Sequence, residues 1–118
     1  MAVATIYHNP RCTKSRQAMG VADELGVDVD VVRYLESPPD AATLRSIIAK
    51  LEDPPADLVR RDGWMELGLT ADDVATPVGV VDVLVRHPEL LQRPLVVTAD
   101  TALIGRPTER VRVLLAPT

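Results

Sequence analysis

Residues 3–34 read VATIYHNPRCTKSRQAMGVADELGVDVDVVRY and decide the fold class of this 118-residue chain. Residues 3–7 fit a short strand, and residues 13–25 carry apolar side chains at helical spacing until a glycine that can end the helix. The valines of residues 27–34 predict a second strand. A strand, a helix and a strand in such a short stretch form a βαβ unit. We therefore predict an α/β fold in which these two strands pair in parallel.

The middle of the chain predicts helices. Asp40 follows two prolines and can cap a helix whose apolar residues recur at the i, i+3, i+4 and i+7 positions. Thr70 and Asp73 resemble a capping box, and Thr76 precedes a proline at the first position of a further helix. We therefore expect a helical insertion over about residues 38–92.

The last part of the chain predicts two strands and a helix. Residues 95–98 and 101–105 fit the strands of a hairpin, and Pro107 can begin a final helix. We expect the first and last thirds of the chain to share one sheet. Residues 1–118 are therefore predicted to form a single domain.

Composition argues against several classes of function. A net charge of −4 and an aromatic content of 3% are unlike a nucleic-acid-binding surface, so no nucleic-acid partner is expected. No apolar run approaches the ~18 residues of a membrane span, and no membrane partner is expected. The two histidines and the single cysteine are too widely separated for a zinc site, so no metal is expected. One cysteine cannot form an internal disulfide, which favours a cytoplasmic protein.

Cys12 is the residue whose chemistry the local sequence defines best. It lies between the first predicted strand and the first predicted helix, close to Arg11, Lys14 and Arg16. Helix N-termini and nearby cations favour the reactive thiolate. A lone cysteine is more typically a small buried hydrophobe, but these polar neighbours favour a reactive thiol. Any redox chemistry at this sulfur needs a second thiol from another molecule.

Several polar residues are candidates to assist this thiol. His8 could favour the thiolate electrostatically, or it could be a polar residue satisfied at the end of a strand. The hydroxyl of Ser15 could donate to the thiolate or to an anion, or it could simply bond to the backbone. Arg60, Arg93 and Arg106 lie at the edges of predicted elements. Arginine suits tetrahedral oxyanions, although a single arginine is by default a solvated surface residue.

Residues 8–16, HNPRCTKSR, resemble the active-site segment of the glutaredoxin-linked arsenate reductases. Further segments resemble this family in the same order along the chain: YLESPP at 34–39, LVRR at 58–61, ELGL at 66–69, HP at 87–88, RPLVV at 93–97 and GRP at 105–107. The resemblance covers essentially the whole chain. It implies a thioredoxin-like fold with a helical insertion.

The resemblance also implies roles for individual residues. Cys12 corresponds to the nucleophile of the family, His8 to a histidine that favours the thiolate, and Ser15 to a serine near the anion. Pro94 corresponds to the cis-proline that lies beside the active-site cysteine. The oxyanion-binding arginines of the family correspond here to Arg60, Arg93 and Arg106.

The function implied by the resemblance is arsenic detoxification, in which arsenate is reduced to arsenite through a covalent Cys12–arsenate adduct. Glutathione, or another low-molecular-weight thiol such as mycothiol, would attack the adduct, and glutaredoxin would regenerate the thiol. No bound cofactor is expected, and we expect a monomer.

Two alternatives to this function stay open. One is a redox-regulatory module of the same fold that binds RNA polymerase, although Ser15 replaces the second cysteine of such switches. The other is a thiol oxidoreductase acting on protein–glutathione mixed disulfides.

Overall fold

The computed structural model describes residues 2–117, in which strands and helices follow the order predicted for both ends of the chain. The strands are β1 (Ala4–His8), β2 (Val29–Arg33), β3 (Leu95–Val97) and β4 (Ala102–Ile104). The α-helices are α1 (Thr13–Leu25), α2 (Ala41–Ala49), α3 (Trp64–Leu67), α4 (Pro77–Arg86) and α5 (Glu109–Leu115). Short 3₁₀ helices cover Pro55–Leu58, Ala71–Val74 and Pro88–Leu90.

The strands form one mixed sheet in the order β2-β1-β3-β4. β1 and β2 are parallel, with His8 opposite Arg33, which confirms the predicted βαβ unit. β3 lies antiparallel to both β1 and β4. The first and last parts of the chain therefore share one sheet, as predicted, and the residues between β2 and β3 are largely helical.

Helices cover both faces of this sheet. On one face, α1 and α5 pack against side chains such as Ile6, Val96 and Leu103. On the other face, α2 and α4 pack with Tyr7 and Leu95 in a larger cluster. Because successive side chains of a strand point to opposite faces, neighbours such as Leu95 and Val96 belong to different clusters. A four-stranded mixed sheet between two helical layers is the thioredoxin-like arrangement that the family resemblance implied.

The predicted helix caps are present. The Asp40 carboxylate accepts the backbone N–H of Thr43 at 2.8 Å and begins α2. The Thr76 hydroxyl accepts the backbone N–H of Gly79 at 3.1 Å and begins α4. Gly26 ends α1 in the left-handed region at φ 65°, which favours glycine. These local signals place the helices as the sequence predicted.

Two details of the helices differ from the prediction. The sequence did not predict α3, which lies between Gly63 and Gly68, both at positive φ. This helix is too short for an apolar periodicity to reveal it. The final helix begins at Glu109 rather than at Pro107. Over residues 2–117, no helix is both long enough and apolar enough to cross a membrane.

Candidate active site

Cys12 occupies the N-cap position of α1, at the carboxyl end of β1. Its carbonyl oxygen accepts the first helical bond from the N–H of Arg16 at 3.0 Å, and its own N–H donates to the carbonyl oxygen of Asn9 at 3.0 Å. The residue is free of any disulfide and is 8% exposed. The sulfur therefore lies beside the N–H groups of the first helical turn, which have no partner within the helix.

The surroundings of Cys12 lower the pKa of its thiol. Burial, the largest influence, would raise this pKa, but the backbone N–H of Ser15, the Arg93 guanidinium and the backbone N–H of Lys14 together outweigh it. The side chains of Lys14 and of Arg11, which the sequence placed near the thiol, are exposed. The cation that lowers the pKa of the thiol is thus Arg93, which is distant in sequence.

Arg93 and Arg106 face the same sulfur. Nη2 of Arg106 donates to Sγ of Cys12 at 3.6 Å, and its Nε donates to the carbonyl oxygen of Arg93 at 2.8 Å. Nε and Nη1 of Arg93 are buried and have no hydrogen-bond partner. Buried charged donors are costly when they are unpaired. The arrangement therefore suits an anion that would pair with them beside the thiolate.

The backbone at Pro94 and Gly105 brings the two arginines together. The Arg93–Pro94 peptide is cis, as the resemblance implied, and so is the Arg106–Pro107 peptide, which was not predicted. A Cβ atom on Gly105 would lie only 2.8 Å from Cγ of Pro94. Only glycine lets the end of β4 approach Pro94 this closely, and the next residue is Arg106.

Arg60 lies in a cleft of about 330 Å³ that Arg61, Arg106 and Arg110 also line. Its Nη2 is paired with the carboxylate of Asp62. Of the three arginines predicted to bind an oxyanion, two therefore act on Cys12, and Arg60 is held by Asp62 in the neighbouring cleft. No motif or spacing in the sequence pointed to Asp62.

His8 and Ser15 form a buried pair beside the cysteine loop, residues 9–12, which joins β1 to α1. Nδ1 of His8 lies 2.6 Å from the Ser15 hydroxyl oxygen, which also accepts the backbone N–H of Asn9 at 3.0 Å. Burial first, and then the charges of Arg33 and Arg16, lower the pKa of His8, so its ring is neutral at neutral pH. His8 thus does not act on the thiolate through a positive charge. The Ser15 hydroxyl is held by its two neighbours, while the backbone N–H of the same residue acts on the thiol.

Tyr34 is a residue of this site that sequence reasoning missed as a candidate. It is fully buried, and its O–H has no acceptor. Burial raises its pKa. The charge of Arg93, the side chain of Asn9, which acts as a donor to the phenol oxygen, and the charge of Arg60 oppose this effect, while Cys12 adds to the increase. Its position directly after β2, which pairs in parallel with β1, is the signal that could have revealed it.

Among the described side chains, residues 2–117, no group of three or more His, Cys, Asp or Glu residues could hold a metal ion. The groups that lie at this edge of the sheet are one activated thiol and several hydrogen-bond donors for an anion.

Comparisons with known proteins agree with this geometry. The sequence profile of the ArsC family matches residues 7–114. The uncharacterized protein YfgD of Escherichia coli is 45% identical over 109 residues, which are 90% of this chain and 91% of that protein. The arsenate reductase of Neisseria meningitidis is 38% identical over 113 residues, which are 93% of this chain and 96% of that protein. The solved arsenate reductase of Vibrio cholerae superposes with a TM-score of 0.84 at 30% identity and covers 98% of this chain and 100% of its own. The chain therefore belongs to the ArsC family.

Proposed function

We propose that this protein reduces arsenate to arsenite, with Cys12 as the nucleophile. The observation that carries the proposal is a buried thiol of lowered pKa that faces Arg93 and Arg106, where two donors of Arg93 have no partner. Arsenate is a tetrahedral oxyanion, and guanidinium groups suit its geometry and charge. Relatives named arsenate reductases support the choice of substrate.

In the first step, the Cys12 thiolate attacks arsenic(V). A sulfur–arsenic bond forms and one arsenic–oxygen bond breaks, and the departing hydroxide becomes water by taking a proton from solvent. Arsenic stays pentavalent in this covalent adduct. Arg93 and Arg106 stabilise the charge on its remaining oxygens, and Arg60 joins them once the anion draws it from Asp62.

In the second step, an external thiolate attacks the sulfur of Cys12. A disulfide bond forms, and the sulfur–arsenic bond breaks with its electron pair on arsenic, which leaves as arsenite. Glutathione is the proposed thiol, and mycothiol would satisfy the same balance of electrons. Glutaredoxin then reduces the mixed disulfide by thiol–disulfide exchange. The two electrons come from the thiols, so the proposal includes no bound cofactor.

A coupled assay tests this proposal. The purified protein is mixed with arsenate, glutathione, glutaredoxin and glutathione reductase, and the oxidation of NADPH is followed. We expect arsenate-dependent oxidation that the Cys12→Ser variant abolishes. Omitting glutathione, or replacing it by mycothiol and its reductase, identifies the thiol. Activity on glutathionylated protein without any response to arsenate would instead indicate the mixed-disulfide oxidoreductase.

A further inference from the structure

The hydroxyl of Tyr34 is a buried polar group that the steps above do not use. Tyr34 is 0% exposed; the side chain of Asn9 acts on its phenol oxygen, but its O–H has no acceptor in the structure. Buried polar groups in folded proteins nearly always have a partner, and an exception calls for an explanation. The rest of the side chain belongs to the larger apolar cluster, which holds it in place.

The sheet places Tyr34 beside the cysteine loop. In the parallel pair of β1 and β2, His8 lies opposite Arg33. Tyr34 directly follows β2, as Asn9 directly follows β1 at the beginning of the loop that leads to Cys12. The carboxyl ends of parallel strands meet at one edge of a sheet, where open α/β sheets bind their ligands.

The charges around the hydroxyl are those of the anion site. Arg93, Arg60 and Cys12 all act electrostatically on the Tyr34 hydroxyl. Arg93 is also the arginine whose Nε and Nη1 lack partners. Two kinds of unpaired donor, a guanidinium and a phenol, thus lie close to one sulfur.

The phenol is suited to an anion because it remains a neutral donor. Burial raises the pKa of Tyr34 above its ordinary value, so the hydroxyl keeps its proton at neutral pH. A protonated phenol donates one hydrogen bond and carries no charge that would repel an oxyanion. Because the ring is enclosed, the donor needs little reorganisation when a ligand arrives.

We propose that the Tyr34 hydroxyl donates a hydrogen bond to an oxygen of the oxyanion that binds beside Cys12. It acts with Arg93 and Arg106 as a further anion-binding residue. The inference rests on the proposed function only in taking a tetrahedral oxyanion such as arsenate as the ligand of this site. In the free protein the O–H of Tyr34 has no acceptor, and the ligand supplies one.

The test compares Tyr34→Phe with Tyr7→Phe. Both substitutions remove one phenolic oxygen from the same apolar cluster, but the Tyr7 hydroxyl responds to Asp40 and not to the arginines of the site. Inorganic arsenate is titrated against the alkylation of Cys12 by iodoacetamide, and the arsenate concentration that halves the rate is measured. We expect Tyr34→Phe to raise this concentration about tenfold or more, as for the loss of a hydrogen bond to a charged group, and Tyr7→Phe to leave it unchanged.

Stability without the anion separates this role from a structural one. Because the buried O–H has no acceptor in the free protein, Tyr34→Phe should keep or increase the urea midpoint of unfolding. An unchanged half-protecting concentration would overturn the proposal. A lower midpoint would also overturn it, because the hydroxyl would then bond within the free protein.

The same titration distinguishes this inference from the proposed function. If arsenate protects wild-type Cys12 from alkylation but is not turned over, arsenate reduction is contradicted. The titration would still measure how Tyr34→Phe changes arsenate binding. Turnover of arsenate, together with the same half-protecting arsenate concentration in the wild-type and Tyr34→Phe proteins, would contradict only the role of Tyr34. Arsenate that leaves wild-type Cys12 unprotected would contradict both.

Discussion

Arg106 donates its Nε hydrogen to the carbonyl oxygen of Arg93 at 2.8 Å, so one arginine holds the backbone of the other. The same guanidinium reaches Sγ of Cys12 through Nη2 at 3.6 Å. Arg93 in turn lowers the pKa of that thiol. The two arginines therefore form one unit around the sulfur, although they lie on opposite sides of a hairpin in the sequence.

Arg106→Lys tests whether this unit needs the planar fork of arginine. Lysine keeps the charge but cannot hold the Arg93 carbonyl and the sulfur in the same fixed geometry. We expect kcat/KM for arsenate to fall about tenfold or more, as for the loss of a charge-assisted hydrogen bond. Arg112→Lys is the control, because Arg112 pairs with Glu24 on the surface. Equal activity of the two variants would show that charge alone is sufficient.

The pH at which Cys12 alkylates reports the stabilisation of its thiolate. Burial raises the pKa of this thiol and Arg93 opposes that effect, with a net lowering. The iodoacetamide rate should therefore have its midpoint below the ~8.5 of a free cysteine. Arg93→Gln should move the midpoint upward, whereas Arg11→Gln, a change at an exposed side chain, should not. A midpoint that Arg93→Gln leaves in place would contradict the role of Arg93.

Asp62→Asn is expected to improve anion binding. The Asp62 carboxylate holds Arg60, and an incoming oxyanion must compete for that guanidinium. Asp62 is 73% exposed, and an exposed ion pair is worth up to about 1 kcal/mol. We therefore expect KM for arsenate to fall by about two- to fivefold. Asp57→Asn removes one negative charge from the cleft that Arg60 lines; an equal fall in KM in that variant would point to cleft charge rather than to the release of Arg60.

Gly105→Ala should destabilise the protein. The added Cβ would lie 2.7 Å from Cγ2 of Val111 and 2.8 Å from Cγ of Pro94, both in well-packed surroundings. Overpacking of this kind lowers the free energy of unfolding by about 1–3 kcal/mol. Gly20→Ala is the matched control, because its Cβ meets nothing within 4 Å and alanine favours the helix. Urea unfolding should show changes of opposite sign in the free energy of unfolding of the two variants. Changes of the same sign would contradict the close approach at Gly105.

The stability of the protein should fall in mild acid because of His8. Burial, with the charges of Arg33 and Arg16, lowers the pKa of His8 in the folded state below the ~6.5 of the unfolded chain. The unfolded state therefore binds more protons as the pH falls below about 6.5, and the free energy of unfolding decreases through the folded-state pKa. Unfolding at pH 7 and pH 5.5 should show a smaller decrease in His8→Gln. The same decrease in both proteins would mean that other groups cause it.

Local signals predicted the parts of the fold that depend on neighbouring residues. The apolar periodicity gave the bounds of α1, and the cap at Asp40 gave the beginning of α2, because each depends on side chains within one or two turns. Alternation along residues 3–7 and 27–34 gave β1 and β2 to within two residues. The missed helix α3 has only four residues and no periodicity.

The arrangement of the site depends on long-range contacts, and the residues alone could not predict it. The convergence of Arg93 and Arg106 on Cys12 requires the sheet to bring the last third of the chain beside the first. Only the family resemblance implied that these arginines share one anion site with Cys12. The pairing of Arg60 with Asp62 and the unpaired hydroxyl of Tyr34 followed only from the three-dimensional structure.

The most direct test is to measure the arsenite formed from arsenate by the purified protein with glutathione and glutaredoxin. Wild-type protein should release arsenite over many turnovers, and Cys12→Ser should release no more than the protein-free mixture. Arsenite formation by wild-type protein that is no faster than that of Cys12→Ser would contradict the role of Cys12 as the nucleophile of an arsenate reductase.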